Sequence, residues 1–349
     1  MDQSLKSNIA RAALLAIVAA AAPVAALAQS SVDIYGRMDL GMLSQDITVG
    51  HGINASTFSL AGAQNTRTDS RLGFRGTEDL GGGLRAGFVY EIGINADRTA
   101  TGNAQTRLAN LSLTGGFGTV VVGTFDNAFF AVRDFSPATA GMPGGNSTQI
   151  GGGCGEHFCS RSQNAIAYVS PTFNGFTLSA AAAREDNTLV AAHDLRSVVL
   201  GVGYSQGPWA AHVAFGEQRA DNNATGARAA DLRNWALGVR YTLPQVALSF
   251  IYEDTKQSLN RATAREQTAW EIGARFPVGA FTPYVTFGQG EITAAGAASD
   301  TSAWQIGTTY NLSTRTSIYA AFGEDRIETA AGLNVRKRDG FALGIVHTF

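Results

Sequence analysis

Apolar and polar residues alternate with a period of two along most of the chain after residue 28, and both ends of that region show the pattern clearly. One apolar face of the segment 32–45 is formed by Val32, Ile34, Met38, Leu40 and Met42. The segment 339–349 places its larger side chains on one face, at Phe341, Leu343, Ile345, His347 and Phe349. Successive side chains of a β-strand point to opposite faces of its sheet, so this pattern predicts strands with two different faces.

The same alternation divides the chain into sixteen candidate strands. They lie near 32–45, 70–77, 84–94, 107–113, 119–126, 163–171, 176–184, 197–206, 209–218, 233–243, 246–256, 267–277, 281–291, 302–312, 316–326 and 339–349. Short connections with Gly, Pro and Asn, which suit tight hairpins, alternate with longer polar connections. The longer ones lie near 46–69, 127–162, 185–196, 219–232, 255–266, 291–301 and 327–338. One rim of the predicted sheet therefore has turns and the other has loops.

An antiparallel succession of strands with short turns at one rim and long loops at the other is typical of outer-membrane barrels. A soluble β-sandwich or propeller is the alternative, but those folds give no reason to separate short and long connections in this way. In hydrocarbon an unpaired strand edge is costly, so 32–45 is expected to pair with 339–349. The sequence therefore predicts an all-β fold, a sixteen-stranded antiparallel transmembrane β-barrel with short periplasmic turns and long external loops.

Residues 1–28 are predicted to form a secretory signal peptide, because Lys6 and Arg11 precede an apolar run and a small-residue cleavage site ends at Ala28. A membrane anchor is the alternative, but the apolar run is shorter than the roughly 20 residues that a spanning helix needs. No later apolar stretch approaches that length, so a membrane protein with this sequence must span with strands. We expect residues 29–349 to form a multi-pass barrel in the outer membrane of a Gram-negative bacterium.

The net charge is −2 and charged residues make up only 15% of the chain, so the sequence lacks the basic footprint of a nucleic-acid-binding protein. His212 is the one histidine with inward parity within a predicted strand, and no serine or aspartate motif accompanies it. The glycine run 81–83 is not followed by the Lys-Ser/Thr of a phosphate-binding loop. We expect no enzymatic activity, no cofactor and no nucleic-acid partner.

The longest predicted connection, 127–162, contains both cysteines of the chain, Cys154 and Cys159. In an exported protein a disulfide between them is the favoured interpretation; the alternative, a metal site with His157, lacks further ligands at suitable spacing. A connection of this length is typical of a functional segment. We predict that it folds into the barrel as a constriction stiffened by the disulfide, and the alternative is a disordered external loop.

Sixteen strands leave a water-filled lumen unless something fills it. Arginines have inward parity on the first strands or flank the cysteine pair, namely Arg37, Arg71, Arg75, Arg85, Arg107 and Arg161. Carboxylates near the long connection are expected to face them, namely Asp126, Asp134 and Glu156. Such an arrangement sets up a transverse field that orders polar solutes and biases ion permeation. Further inward candidates of both signs weaken the bias, namely Asp33, Asp39, Glu91, Glu253, Glu271, Arg240 and Arg275.

Four segments and the terminal residue carry a family resemblance, namely 32–41, 70–91, 116–123, 164–176 and Phe349. They resemble the Gram-negative general porins of the neisserial and burkholderial kind, and the resemblance covers the chain after the signal segment. It implies a trimeric, sixteen-stranded diffusion channel whose third loop narrows the pore and whose arginines favour anions. By position these arginines are Arg71, Arg107 and Arg161, and Phe349 resembles the signal read by the outer-membrane assembly machinery.

Three features depart from the family pattern. Ala167 stands where relatives often have a polar inward residue, Thr124 where arginine is common, and 134–143 lacks a recognisable acidic motif. We expect a passive pore for ions and small hydrophilic solutes, surrounded by outer-membrane lipid, with a weak anion preference. We also expect a homotrimer with contacts on the first and last strands. The alternatives are a substrate-specific channel and a surface adhesin on the same barrel.

Overall fold

The computed structural model describes residues 31–50, 53–61, 68–94, 104–139, 141–145, 161–187, 193–222, 228–259, 262–294, 296–329 and 334–349. Most of them lie in strands, and one short helix, α1 (Ala128–Arg133), follows the sixth strand. The strands are β1 (Ser31–Val49), β2 (Ile53–Ala61), β3 (Arg71–Gly81), β4 (Leu84–Ile94), β5 (Ala104–Gly115), β6 (Gly118–Asp126), β7 (Arg161–Val169), β8 (Phe176–Asn187), β9 (His193–Gln206), β10 (Trp209–Asn222), β11 (Arg228–Thr242), β12 (Ala247–Leu259), β13 (Ala262–Arg275), β14 (Phe281–Ala294), β15 (Ala297–Asn311), β16 (Thr316–Thr329) and β17 (Asn334–Thr348).

The strands form one antiparallel sheet that closes on itself, because β1 pairs with β17. The loop-side half of β1 pairs with β2 and its other half pairs with β3. β2 and β3 are therefore two segments of one barrel strand, and the barrel has sixteen strand positions. The predicted pairing of 32–45 with 339–349 is confirmed, with Leu40 opposite Ile345. Closure removes the free edge whose backbone groups hydrocarbon would leave unpaired.

The outward face is an exposed apolar belt, and polar and small side chains point inward. On β1, Ile34 points outward and is 64% exposed, whereas Asp39 points inward and is fully buried. Aromatic pairs mark both edges of the belt, as in outer-membrane barrels. The pairs are Phe176–Tyr204, Trp209–Tyr241 and Phe281–Tyr310 toward the turn side, and Trp235–Tyr252, Trp270–Phe287 and Trp304–Phe322 toward the loop side. In the part of the chain that is described, no helix has the length and apolarity to cross a membrane.

The strands extend further toward the loop side than the sequence predicts. β1 continues to Val49 and β2 follows almost at once, so much of the predicted loop 46–69 is a hairpin. The predicted loops 185–196, 219–232, 255–266, 291–301 and 327–338 also lie largely in strands. A polar stretch of sequence predicts a loop, but strands pair through backbone hydrogen bonds, which do not depend on side-chain polarity. The pairing therefore continues beyond the hydrocarbon layer. The expected external loops are therefore shorter, except for the connection between β6 and β7.

Candidate functional site

The connection between β6 and β7, called the third loop below, begins with a helix that packs on the inner wall. The side chain of Asn127 caps α1 by accepting a hydrogen bond from Phe129 N at 3.0 Å. Phe129 and Val132 are buried in a cluster with small inward residues of the wall. These include Ala165, Ala167, Ala181, Ala214 and Ala236. Small side chains let the helix approach the sheet closely, so an alanine at position 167 suits the packing of α1 on the wall.

Beyond the helix, Gln305 of β15 holds the third loop against the wall. Its fully buried side chain accepts a hydrogen bond from Thr139 N at 2.6 Å. Its amide nitrogen donates to the carbonyl oxygens of Thr139 at 3.2 Å and Pro143 at 3.1 Å. The hydroxyl of Tyr284 lies 2.6 Å from Gln305 Oε1 and 2.8 Å from Thr139 Oγ1. Moving the loop away would leave these buried groups without partners, which is costly.

A second anchor lies at Asp325 of β16. Gly144 N donates to Asp325 Oδ2 at 3.2 Å, and Arg338 and Arg336 donate to the same carboxylate at 2.7 Å and 3.3 Å. Gly144 has a φ of 76°, and a Cβ there would lie 1.9 Å from Trp304 O, so only glycine fits. The wall also has glycines beneath other loop residues, namely Gly238 beneath Phe135, Gly273 beneath Pro137 and Gly323 beneath Pro143. The third loop thus lies along β9 to β16.

On the opposite wall, two of the predicted arginines converge on Glu91 of β4. Glu91 accepts hydrogen bonds from Arg107 Nε at 2.8 Å and from Tyr35 OH at 3.1 Å. Arg71 Nη1 lies 3.4 Å from Glu91 Oε1, and Arg107 also forms an ion pair with Asp69, just before β3. Arg107 occupies a β-bulge between β4 and β5, which turns its buried side chain toward Glu91. These acidic partners reduce the net positive charge that the arginines place on this wall.

Arg37 joins this group, and Arg75 does not. The charge of Arg37 is close enough to Arg71 to repel it, as is that of Arg107. We call Arg37, Arg71 and Arg107 the arginine cluster. Arg75 lies nearer the turn-side mouth, where its Nε is 3.4 Å from Asp33 Oδ2 and its side chain is 59% exposed.

Two of the carboxylates that were expected to face the arginines lie close to arginine charges. Asp126, at the end of β6, accepts a hydrogen bond from Arg161 Nε at 3.2 Å. Asp134 follows α1 and is within electrostatic range of Arg71 as well as Arg133. Burial raises the pKa of the Asp134 carboxyl, and the arginine charges around it oppose this effect. Burial also lowers the pKa of the Arg133 guanidinium.

Some predicted site residues lie outside the described residues. They are Glu156, the cysteines of the predicted Cys154–Cys159 disulfide and the predicted signal segment 1–28. Within the described ranges, no group of three or more His, Cys, Asp or Glu side chains is arranged to hold a metal ion. The sequence pattern missed Gln305 and Asp325 as anchors. Alternation gives each of them inward parity, but it carries no information on which distant segment they contact.

Comparison with known proteins gives a consistent result. A family model described as Gram-negative porin matches residues 13–330. The outer membrane porin protein 32 of Delftia acidovorans is 31% identical, over 96% of this chain and 99% of its own length. An outer membrane porin protein of Bordetella pertussis is 29% identical, over 96% of this chain and 100% of its own length.

Solved structures resemble the barrel as a whole. An anion-selective porin from Comamonas acidovorans has a TM-score of 0.75 and 24% identity, covering 92% of this chain and 100% of its own. OmpT of Vibrio cholerae in a trimer form has a TM-score of 0.68 and 16% identity, covering 92% of this chain and 99% of its own. At these identities the likeness supports the fold, a closed antiparallel barrel.

Proposed function

Because this chain belongs to the Gram-negative porin family and is an outer-membrane diffusion channel, we propose that its passage has a weak preference for anions. Ions and small hydrophilic solutes pass between the arginine cluster on one wall and the third loop on the other. The third loop narrows the passage because its two anchors and α1 hold it inside the barrel.

The observation that carries this proposal is the placement of the arginine cluster opposite the anchored loop. The three arginines of the cluster outnumber by one the two carboxylates that pair with Arg71 and Arg107, namely Glu91 and Asp69. Inside a narrow passage walled by protein, such an excess attracts anions more strongly than it would in open water. The excess is small, which is why the expected preference is weak.

Planar-bilayer recording in asymmetric potassium chloride tests the proposal. The wild-type reversal potential should have the sign of anion preference. Arg107→Gln leaves Glu91 and Asp69 with one fewer positive partner, so the reversal potential should shift toward cation preference. Glu91→Gln removes a negative charge from the same cluster and should shift it toward anions. Arg315→Gln is the matched control, because Arg315 is exposed on the turn between β15 and β16.

Stepwise conductance is the first requirement, and its absence would end the channel assignment itself. A wild-type potential of cationic sign would contradict the anion preference. Shifts of the same size in Arg315→Gln and Arg107→Gln would mean that the cluster is not the selective element.

We further propose a homotrimer with contacts on the first and last strands, and an assembly signal at Phe349. The trimer form of the Vibrio cholerae neighbour supports the first point. Outward Ile34 of β1, 64% exposed, offers apolar surface for such a contact. Light scattering in detergent should show monomers for Ile34→Ser but trimers for Leu178→Ser, a comparably exposed residue of β8. Trimers in both variants would show that the trimer interface does not depend on Ile34.

A further inference from the structure

Asp69, just before β3, is the more exposed of the two carboxylates that pair with Arg107. Its side chain is 48% exposed, whereas that of Glu91 is 4% exposed. A passing ion can approach an exposed carboxylate closely, and the interaction between two charges grows as their separation falls. Asp69 precedes the first residue of β3, so the strand ladder alone does not fix its position. What holds the segment 68–70 therefore matters for ionic preference.

Ser70 joins this segment to β1 at the point where β1 changes its partner. β1 pairs with β3 as far as Arg37 and with β2 from Gly41 onward, and Asp39 lies between these two pairings. The hydroxyl of Ser70 accepts a hydrogen bond from Asp39 N at 2.9 Å and donates one to Asp39 O at 3.2 Å. A hydroxyl can donate and accept at once, so this buried side chain satisfies backbone groups that a neighbouring strand would otherwise pair.

The side chain of Asp39 holds the same segment through its fully buried carboxylate. Asp39 Oδ2 accepts a hydrogen bond from Thr68 N at 2.6 Å, and Asp39 Oδ1 accepts one from the hydroxyl of Tyr319 at 2.9 Å. Tyr319 of β16 reaches β1 by crossing β17 over Gly344, where a Cβ would collide with its hydroxyl. The tyrosine thus occupies one carboxylate oxygen, and the other is directed at the backbone of Thr68.

Contacts on the other side of the segment attach it to β4 and to the arginine cluster. Ile94 N, at the end of β4, donates a hydrogen bond to Ser70 O at 2.9 Å. Arg71 Nε donates to Asp69 O at 3.4 Å, and the Asp69 carboxylate pairs with Arg107 Nη1. The segment 68–70 therefore lies between β1 and β4, and of its attachments to β1 the Asp39 carboxylate is the one nearest to the start of the segment.

We propose that Asp39 is a positioning residue for ionic preference. Its carboxylate fixes the backbone at Thr68 and so keeps the Asp69 carboxylate on Arg107, where it offsets part of the arginine's charge. The inference rests on the proposed function, because Arg107 belongs to the arginine cluster. Without an acceptor at position 39, Asp69 moves away from Arg107 and the passage gains anion preference.

Reversal potentials of two matched variants in asymmetric potassium chloride test this proposal. Asp39→Asn and Asp39→Leu remove the same charge and have similar size. The asparagine keeps an oxygen that accepts from Thr68 N while its amide donates to the Tyr319 hydroxyl, and the leucine does not. The chloride-to-potassium permeability ratio should be up to about threefold higher in Asp39→Leu than in Asp39→Asn, because a unit charge about 8 Å from a passing ion changes the ion's energy by about one RT in water.

The same two variants are then measured with Asp69→Asn also present. Because the proposed effect acts through the charge of Asp69, the difference between Asp39→Leu and Asp39→Asn should disappear in that background. A merely structural role for Asp39 gives the same difference in both backgrounds. Heat-shifted gel mobility shows which variants are folded. If Asp39→Leu does not fold, Ser70→Ala removes the other attachment to β1 and should raise anion preference only where Asp69 is intact.

Three results would overturn the proposal. They are equal reversal potentials for Asp39→Asn and Asp39→Leu, a difference between them that persists with Asp69→Asn, and, where Ser70→Ala is used instead, a potential that Ser70→Ala does not change. These comparisons do not depend on the sign of the wild-type potential. A cation-preferring wild type would contradict the proposed function, and the differences between the variants would still decide the role of Asp39.

Discussion

Replacing Gln305 with methionine should release the middle of the third loop from the barrel wall. Methionine has similar length and packs well, but it cannot form the hydrogen bonds that join Gln305 to Thr139 and Pro143. Three hydrogen bonds from wall to loop are lost, each contributing about 0.5–1.5 kcal/mol net. The docked loop therefore loses about 1.5–4.5 kcal/mol, which raises the undocked population about 10-fold to 2,000-fold.

Hydrogen–deuterium exchange of the detergent-purified protein measures that population directly. Peptides covering 134–145 should exchange faster in Gln305→Met by a comparable factor, because amide exchange follows the free energy of local opening. Single-channel current should become noisier, because the middle of the third loop can then move in the passage. The ends of the loop stay in place, held by the contacts at Asp325 and by the packing of α1. The strands of the barrel should exchange as in wild type.

Thr286→Val is the matched control for this variant. Thr286 is directly opposite Gln305, is almost fully buried, and its hydroxyl has no hydrogen-bond partner among the described residues. Its loss should leave exchange and current unchanged. Wild-type exchange at 134–145 in Gln305→Met would refute the reasoning, because it would mean that the other anchors alone hold the loop.

Three other outcomes are expected. Acidification should strengthen anion preference at a pH above that of an ordinary carboxyl titration, because Asp134 has a raised pKa and loses its negative charge early; Asp134→Asn should reduce this pH dependence in reversal-potential measurements. Deleting Phe349 removes two backbone hydrogen bonds with Gly36 and should lower the heat-resistant protein recovered from outer membranes, whereas Phe349→Tyr should be recovered normally. A reducing agent should change conductance or voltage closure in wild type but not in Cys154→Ser, and identical records of the oxidised wild type and that variant would show that Cys154–Cys159 is no brace.

Alternation predicted the parts of the structure that depend on local chain geometry. The side chains of Ile34 and Phe341 face outward, as their position in the alternation predicts. The pairing of the first and last strands is confirmed. Arg71 and Glu91 were placed inward for the same reason. Strand ends on the turn side also agree closely, because Gly, Pro and Asn fix the turn geometry there.

Other features depend on contacts between distant residues, which a period of two cannot encode. The bulge that turns Arg107 toward Glu91 adds a residue to β5 and breaks the parity there. The inward alanines gave no sign of a packed helix, because small residues also suit an open lumen. Gln305 meets Thr139 across 166 residues of chain, so its role appears only once the loop is in place.

The divided second barrel strand has an evolutionary consequence. β1 pairs with both β2 and β3, so the register of each segment is set without the residues between Ala61 and Thr68. Asp69, a counterion of Arg107, follows this interruption directly. Insertions and deletions at that point can therefore change the length of the segment beside a counterion without altering the scaffold. Ionic preference can diverge between lineages at a site where the inherited architecture is under little constraint.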